Sequence, residues 1–270
     1  MKTRKVVSRE YKLMLQAARF AGTDDQLLVT AGQLWDDFAG ALEPFAASVE
    51  GTLDTIAKQR LVAFLDSQAR HLWAAGYIFR VRRTLEGGRP EVTLKFRHPD
   101  RFVAENRQMK SRRIRAEIKF EEDVKPPFTS LYGFSNTGRI GRKDVPITLD
   151  DVSALFPDLA KRLGKVDGSL KLRAVNGFTA REVVVTGPIV TLGAKPRVEA
   201  ECALIVWYDH HRNTTNHPAA VEFSYRYGNP GGRYSGKVAR RAFNIFEMLQ
   251  RDLTDWIDPN SATKTTLVFG

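Results

Sequence analysis

Charged residues two apart recur inside otherwise apolar, strand-like segments of this chain. Glu10 and Lys12 lie in EYKLML, Arg80 and Arg82 in YIFRVRR, and Lys95 and Arg97 in VTLKFR. Glu117, Lys119 and Glu121 follow in AEIKFEE, Lys171 and Arg173 in LKLR, and Glu222 and Arg226 in VEFSYRY. Along a strand, residues i and i+2 share a face, so each segment carries its charges on one side. Both signs of charge on one face point to a sheet built to hold a highly charged ligand. An ordinary sheet lying on helices, with a merely wet charged face, gives the same alternation, and the pattern alone does not choose between them.

The whole chain leans toward anions. Its 270 residues carry 42 Lys and Arg against 31 Asp and Glu, a net charge of +11. Such an excess draws nucleic acid, acidic lipid, nucleotides or polyphosphate. Basic groups gathered on single strand faces favour a specific anion site over a merely basic surface. Nucleic acid is the less favoured partner, because neither a zinc-finger spacing nor an RNA-recognition signature is present. The one cysteine, Cys202, excludes an internal disulfide framework and a Cys-based zinc site, and in AECALIVWY it reads as core. No stretch approaches the ~20 apolar residues of a membrane span. The basic N-terminus runs into a strand pattern without an apolar leader core, so the expected location is the cytoplasm, with no membrane partner.

These charges need elements to position them. Residues 6–15 read as a first strand, and Leu34, Phe38, Leu42 and Phe45 fall on one helical stripe. Strands are predicted near 60–66, 76–83, 91–97 and 114–121, with EGGRP as a hairpin loop between two of them. The Pro-, Gly-, Ser- and Asn-rich stretch 123–147 reads as loop. A helix over 149–163 has Thr148 placed to cap it, Gly164 to end it and Pro157 to kink or restart it. Strands resume near 169–174, 181–192, 197–208 and 219–227, and a last helix spans about 237–257. One α+β domain over 1–270 is expected. If the charged faces look inward, the apolar faces look outward, and the amphipathic helices must cover them.

The order of these pieces resembles the CYTH family of triphosphate tunnel metalloenzymes. SREYKL is similar to that family's opening strand of alternating acids and lysine, and AFLDS to its Tyr-Phe-Asp-Thr-like turn. HLWAAGYIFRVRR resembles its paired-arginine segment and EVTLKF its lysine strand. LIVWYD and AAVEFSYRYG resemble its later strands ending in Asp and carrying Glu-x-Glu. The likeness covers roughly residues 6–230. It implies an antiparallel eight-stranded β-barrel with flanking helices, a helical insertion over about 16–59, and a charged inner wall. It also implies that Lys12, Arg80, Arg82 and Lys95 contact phosphates, joined by Lys119 and by Arg173 or Arg181. Glu10, Asp209 and Glu222 would hold Mg2+ or Mn2+.

The implied activity is divalent-metal-dependent hydrolysis of inorganic triphosphate or another triphosphate compound. Arg offers planar two-point contacts to phosphate oxygens and Lys a point charge, while a hard divalent ion takes carboxylate oxygens. The alternatives are a non-catalytic binder of nucleotide, polyphosphate or RNA 5′ ends, and a class IV-type adenylate cyclase. Two positions depart from the family pattern: Ser8 and Ser224 stand where acids are usual, which weakens metal binding and favours the non-catalytic alternative. Glu117, Glu121, Glu199 and Glu201 lie on strands that could share the cavity, with the solvent side favoured for Glu121 and Glu199. His210, His211 and His217 fall in a polar loop, where solvent exposure is the ordinary outcome. No general base can be named from the sequence.

Overall fold

In the computed structural model the residues described are 4–42, 44–46, 48–107, 109–212, 216–229, 231–260 and 263–270. The alternating segments become ten strands in one sheet: β1 (Ser8–Leu15), β2 (Ser48–Glu50), β3 (Thr55–Asp66), β4 (Tyr77–Thr84) and β5 (Glu91–His98), then β6 (Ala116–Lys125), β7 (Thr129–Arg139), β8 (Arg173–Ala194), β9 (Arg197–Asp209) and β10 (Ala220–Gly228). Their order is β8-β3-β4-β5-β7-β6-β1-β10-β9, and β9 pairs back onto β8, so nine strands close a ring. The short β2 is added outside the ring, on β8.

The closed barrel differs from the expected one in two ways. It has nine strands, not eight, and it is mixed, since β1 and β6 run parallel from Ser8 opposite Glu121 to Tyr11 opposite Val124. The two differences have one cause. An odd number of strands cannot close a ring with every neighbour antiparallel, so at least one parallel contact is obligatory. The stretch expected as loop supplies one of the nine strands, β7. The strand expected at 181–192 is part of a longer one, β8, which begins at Arg173 and passes through positive φ at Asn176 and Gly177, while residues 169–172 of the strand expected at 169–174 lie outside it.

The apolar strand faces do look outward, and helices cover them. On one side lie α1 (Asp24–Leu42) and the later α6 (Gly236–Asp252). Phe38 meets Phe223 edge-on at 5.0 Å, and Phe246 lies 5.1 Å from Tyr11. Cys202 is buried in this layer, and burial pushes its thiol pKa up. Between these two helices in sequence come α2 (His71–Ala74), α3 (Arg101–Glu105), α4 (Leu149–Leu155) and α5 (Asp158–Leu163). Leu149, Val152, Phe156 and Leu159 pack on Phe79, Val81, Leu94 and Phe134. The Thr148 hydroxyl accepts from the Asp151 N–H while Asp151 accepts from the Thr148 N–H, a capping box at the start of α4. Pro157 starts α5 instead of continuing α4, and Gly164 ends it with φ 66°. The last element, α7 (Lys264–Phe269), packs inside the ring instead of outside it. Among the described residues, no helix is long and apolar enough to cross a membrane.

Candidate functional site

Register decides what faces the lumen. Directly opposed residues of paired strands share a face, and a shift of one residue reverses it. Val62 opposes Arg82, Phe64 opposes Arg80, Arg80 opposes Thr93, and Ile78 opposes Lys95. Lys95 opposes Ser135 on β7, Ser135 opposes Lys119 on β6, Glu10 opposes Asp123, and Lys12 opposes Ser224. Glu182 opposes both Arg60 and Trp207. These residues therefore line one inner wall, whose two ends differ. At one end Met14, Val62, Phe64, Ile78, Ala180, Trp207 and Ala220 form an apolar cluster with Val268 and Phe269 of α7. Toward the other end lie Ser8, Glu117, Lys119, Glu121 and Arg226.

Asp123, 3% exposed, is the hub of the charged section. Its Oδ1 is 3.0 Å from Lys12 Nζ, and its Oδ2 is 3.2 Å from Lys95 Nζ and 3.3 Å from Arg97 Nη2. Burial opposes ionisation of this carboxyl, but Lys12, Lys95 and Arg97 together hold its pKa well below the usual carboxylate range. Burial likewise lowers Lys95, to about 8, against the upward pull of Asp123. Gly133 lies beside it, and a Cβ there would come within 2.3 Å of Lys95 Cε, so only glycine leaves room for this side chain as placed.

A second cluster sits on β3, β4 and β8. Glu182, 1% exposed, accepts from Arg60 Nε and, at 2.8 Å, from Trp207 Nε1. Burial pushes its pKa up, but Arg82, Arg60 and Lys264 overcome that and hold it down at about 2. Arg82 Nη1 is 3.1 Å from Glu91 Oε1. Arg80 donates to the Thr93 hydroxyl at 3.3 Å, its one side-chain hydrogen bond among the described residues. Burial and the neighbouring Arg82 push its pKa well below the ordinary arginine value. The Nε atoms of Arg80, Arg82 and Arg97 are buried with no hydrogen-bond acceptor among the described residues. Buried donors are almost always satisfied. Arg101 Nε, off this wall, is left in the same way, but the three gathered on one wall offer donors together to acceptor oxygens.

The other expected residues fall differently. Lys119 pairs with Glu117 at 3.3 Å and is partly exposed, while Arg173 is exposed at the start of β8. Arg181 lies on the outer face, its guanidinium 4.2 Å from the Tyr208 ring centroid and 3.6 Å from Asp24 Oδ1. It is one residue from the lumen-facing Glu182, and β-strand parity sends the two to opposite faces. Ser8 donates to Glu121 at 2.8 Å, which places Glu121 on the barrel side and not the solvent side. His210, His211 and His217 are exposed, while residues 213–215 of their loop lie outside the described set.

The three expected metal ligands do not converge. Glu10 Oε2 lies 3.0 Å from Lys12 Nζ, and Glu222 Oε1 lies 3.0 Å from Lys264 Nζ. Asp209 accepts from the His211 N–H at 3.0 Å and pairs with Arg212 Nε at 3.2 Å. Among the described residues, no three Asp, Glu, His or Cys side chains gather as a metal site. Each carboxylate already has a cation in contact, so the arrangement does not fit a divalent ion.

Sequence reasoning omitted Arg60, Asp123, Glu182 and Lys264. Asp123 was within reach, because the i+2 series Glu117, Lys119, Glu121 extends to it without a break. Arg60 was also within reach, because Lys58 stands two residues before it on β3, whereas Glu182 has only Ala180 and Val184 at its i±2 positions and forms no charged pair along its strand. Lys264 carries no periodic signal at all.

No family model matches the chain, and no curated protein matches it. Similar solved structures cover nearly its whole length at low identity. A proposed adenylyl cyclase from Hippeastrum, described with a dominant triphosphatase activity, shares 13% identity over 98% of this chain and 95% of that one, with a TM-score of 0.45. A proposed adenylate cyclase from Bacillus halodurans shares 11% identity over 100% of both chains, with a TM-score of 0.39. Another from Vibrio parahaemolyticus shares 9% identity over 99% of this chain and 100% of that one, with a TM-score of 0.40.

Proposed function

We propose that the barrel binds the phosphate chain of a triphosphate compound, with Lys12, Arg80, Arg82 and Lys95 as phosphate contacts and Arg60 and Arg97 beside them. The observation that carries this reading is the set of buried arginine Nε donors without acceptors, on a wall that also presents two lysines. A phosphate chain supplies both what the donors lack and the negative charge that the cations need. Lys119, at the polar end, would meet the ligand on entry. Arg173 and Arg181 have no place in this contact set.

Titration calorimetry with tripolyphosphate and with ATP tests the proposal. Arg82→Ala should weaken binding at least roughly tenfold. Unchanged affinity in a folded Arg82→Ala protein would remove the site from this wall.

A second reading is hydrolysis of the same compound, with Mg2+ or Mn2+ as the expected cofactor. Glu10 and Glu222 face the lumen from the neighbouring strands β1 and β10, but Lys12 and Lys264 already hold them, so this reading requires an ion that displaces those ammonium groups. Phosphate release from tripolyphosphate and ATP, measured with and without each ion, separates turnover from binding alone.

A further inference from the structure

We infer that Lys264, carried into the barrel by α7, is the built-in counter-cation of Glu222, so that the tunnel takes a polyphosphate without a divalent metal at that carboxylate. The inference rests on the phosphate-binding reading above. Lys264 Nζ stands 3.0 Å from Glu222 Oε1, with the two side chains 13% and 6% exposed. It also sits 5.3 Å from the centroid of the Trp207 ring, whose face attracts a cation. This is a lysine in a made place and not a surface side chain folded back.

The helix that delivers it is fixed at both ends. The Thr263 hydroxyl caps α7 by accepting from the Thr266 N–H, and the Thr265 hydroxyl accepts from Arg97 Nη1 at 2.9 Å. At the far end Phe269 stacks on Trp73 at 4.1 Å and meets Phe64 at 5.9 Å. Asn176 Nδ2 donates to the Val268 carbonyl at 2.9 Å, and Arg70 donates to that of Phe269. Withdrawing Lys264 from Glu222 would mean undoing these contacts.

The charge arithmetic runs the same way. A divalent ion at Glu222 would sit against an ammonium already in hydrogen-bond contact, on a wall that also presents Lys12, Lys95 and Arg97. Mg2+ and Mn2+ also want several oxygen ligands, and the inward neighbour on the same strand is Ser224, a neutral oxygen. Arg97 touches both Thr265 and Asp123, so α7 belongs to the phosphate wall itself.

The test uses the full chain, Mn2+ alone and tripolyphosphate as probes, and calorimetry. Wild type should bind tripolyphosphate in EDTA and take up no Mn2+ at Glu222. Lys264→Met leaves Glu222 uncompensated in the tunnel, so its affinity in EDTA should fall roughly tenfold. This variant should also gain a Mn2+ site, and Mn2+ should restore tripolyphosphate binding. In Lys264→Met combined with Glu222→Gln, the Mn2+ site should vanish and binding in EDTA should return. Lys264→Arg keeps the charge and should behave as wild type, which preserves the test if the methionine variant does not fold. Wild-type binding that disappears in EDTA would overturn the inference. Absence of binding under every condition would instead overturn the phosphate-binding reading, and the inference with it.

Discussion

Lys95 is the cation whose charge state is most finely balanced. Burial lowers its pKa to about 8, with Arg97 and Lys12 pushing the same way and Asp123 resisting. In the free protein its charged fraction therefore falls as pH rises through about 8. A bound polyphosphate favours the charged form, so binding above that pH must take up a proton. The expected outcome is tripolyphosphate affinity that declines above about pH 8, together with a heat that depends on the ionisation enthalpy of the buffer. Lys95→Arg, which stays charged, should remove this component; the same pH profile in that variant would assign the titration to another group. Glu182 gives the complementary case for stability. Its folded pKa of about 2 lies below the ordinary 4.5, so the folded state binds fewer protons than the unfolded one in between. Its contribution is fully present above about 4.5 and is lost as pH falls through about 2. Glu182→Gln should cost about 3 kcal/mol near neutrality, by leaving Arg60 without its carboxylate, and should flatten the acid limb of the Tm profile between those values.

At the scale of elements, β7 shows how a working strand can hide. Its inward positions are Gly133, Ser135 and Thr137, small or polar residues that clear space for the lysine heads opposite, while Phe134 and Asn136 point outward. A segment so rich in Gly, Ser and Asn carries the composition of a loop, and that is how it reads before register is known. Gly133→Ala tests the reason. Steric contact with Lys95 should move its ammonium away from Asp123 and weaken tripolyphosphate binding several-fold, while stability changes by only about 1 kcal/mol. Calorimetry and a thermal melt together check this, and equal affinity would mean that Lys95 has another route to the ligand. Most other strands were legible because their charges alternate with large apolar residues, and α4 because Thr148, Pro157 and Gly164 mark its start, break and end; β2 and the first residues of β3 fell inside the stretch expected as a helical insertion. The i+2 rule also drew Lys12, Arg80, Arg82 and Lys95 to one face, where register now puts them. The family resemblance, not this rule, offered Arg181, where one residue separates the outer wall from the inner. The i+2 rule had nothing to say of α7, because a six-residue helix that enters a barrel leaves no period to detect. Residues that meet only through closure, such as Lys264 and Glu222, are visible only in three dimensions.

For the molecule as a whole, a closed ring fixes cations that an open sheet would spread apart. Arg60, Arg80 and Arg82 come from two adjacent strands and Lys12, Lys95 and Arg97 from two others, yet all face one lumen. Neighbouring carboxylates compensate most of them. Among the described residues Arg80 has no such contact: its hydrogen bond goes to Thr93, and both burial and Arg82 disfavour its charge. Without an anion, this side chain is a net cost to the fold, and its presence is explained by what it does when the anion arrives. Arg80→Met keeps most of the apolar stem and removes the buried charge. It should therefore stabilise the ligand-free protein by about 1 kcal/mol, within the range usual when a functional group is replaced by one that suits the scaffold. Wild type should gain about 2.7 kcal/mol at tripolyphosphate concentrations of roughly 100 times Kd, because only the folded ring offers the site. At that same concentration the variant should gain clearly less, so the two melting curves should change order as ligand is added. Thermal melts of both proteins with and without tripolyphosphate measure this directly. A variant less stable than wild type without ligand would show that Arg80 supports the fold, and an equal ligand shift would show that it does not meet the phosphates.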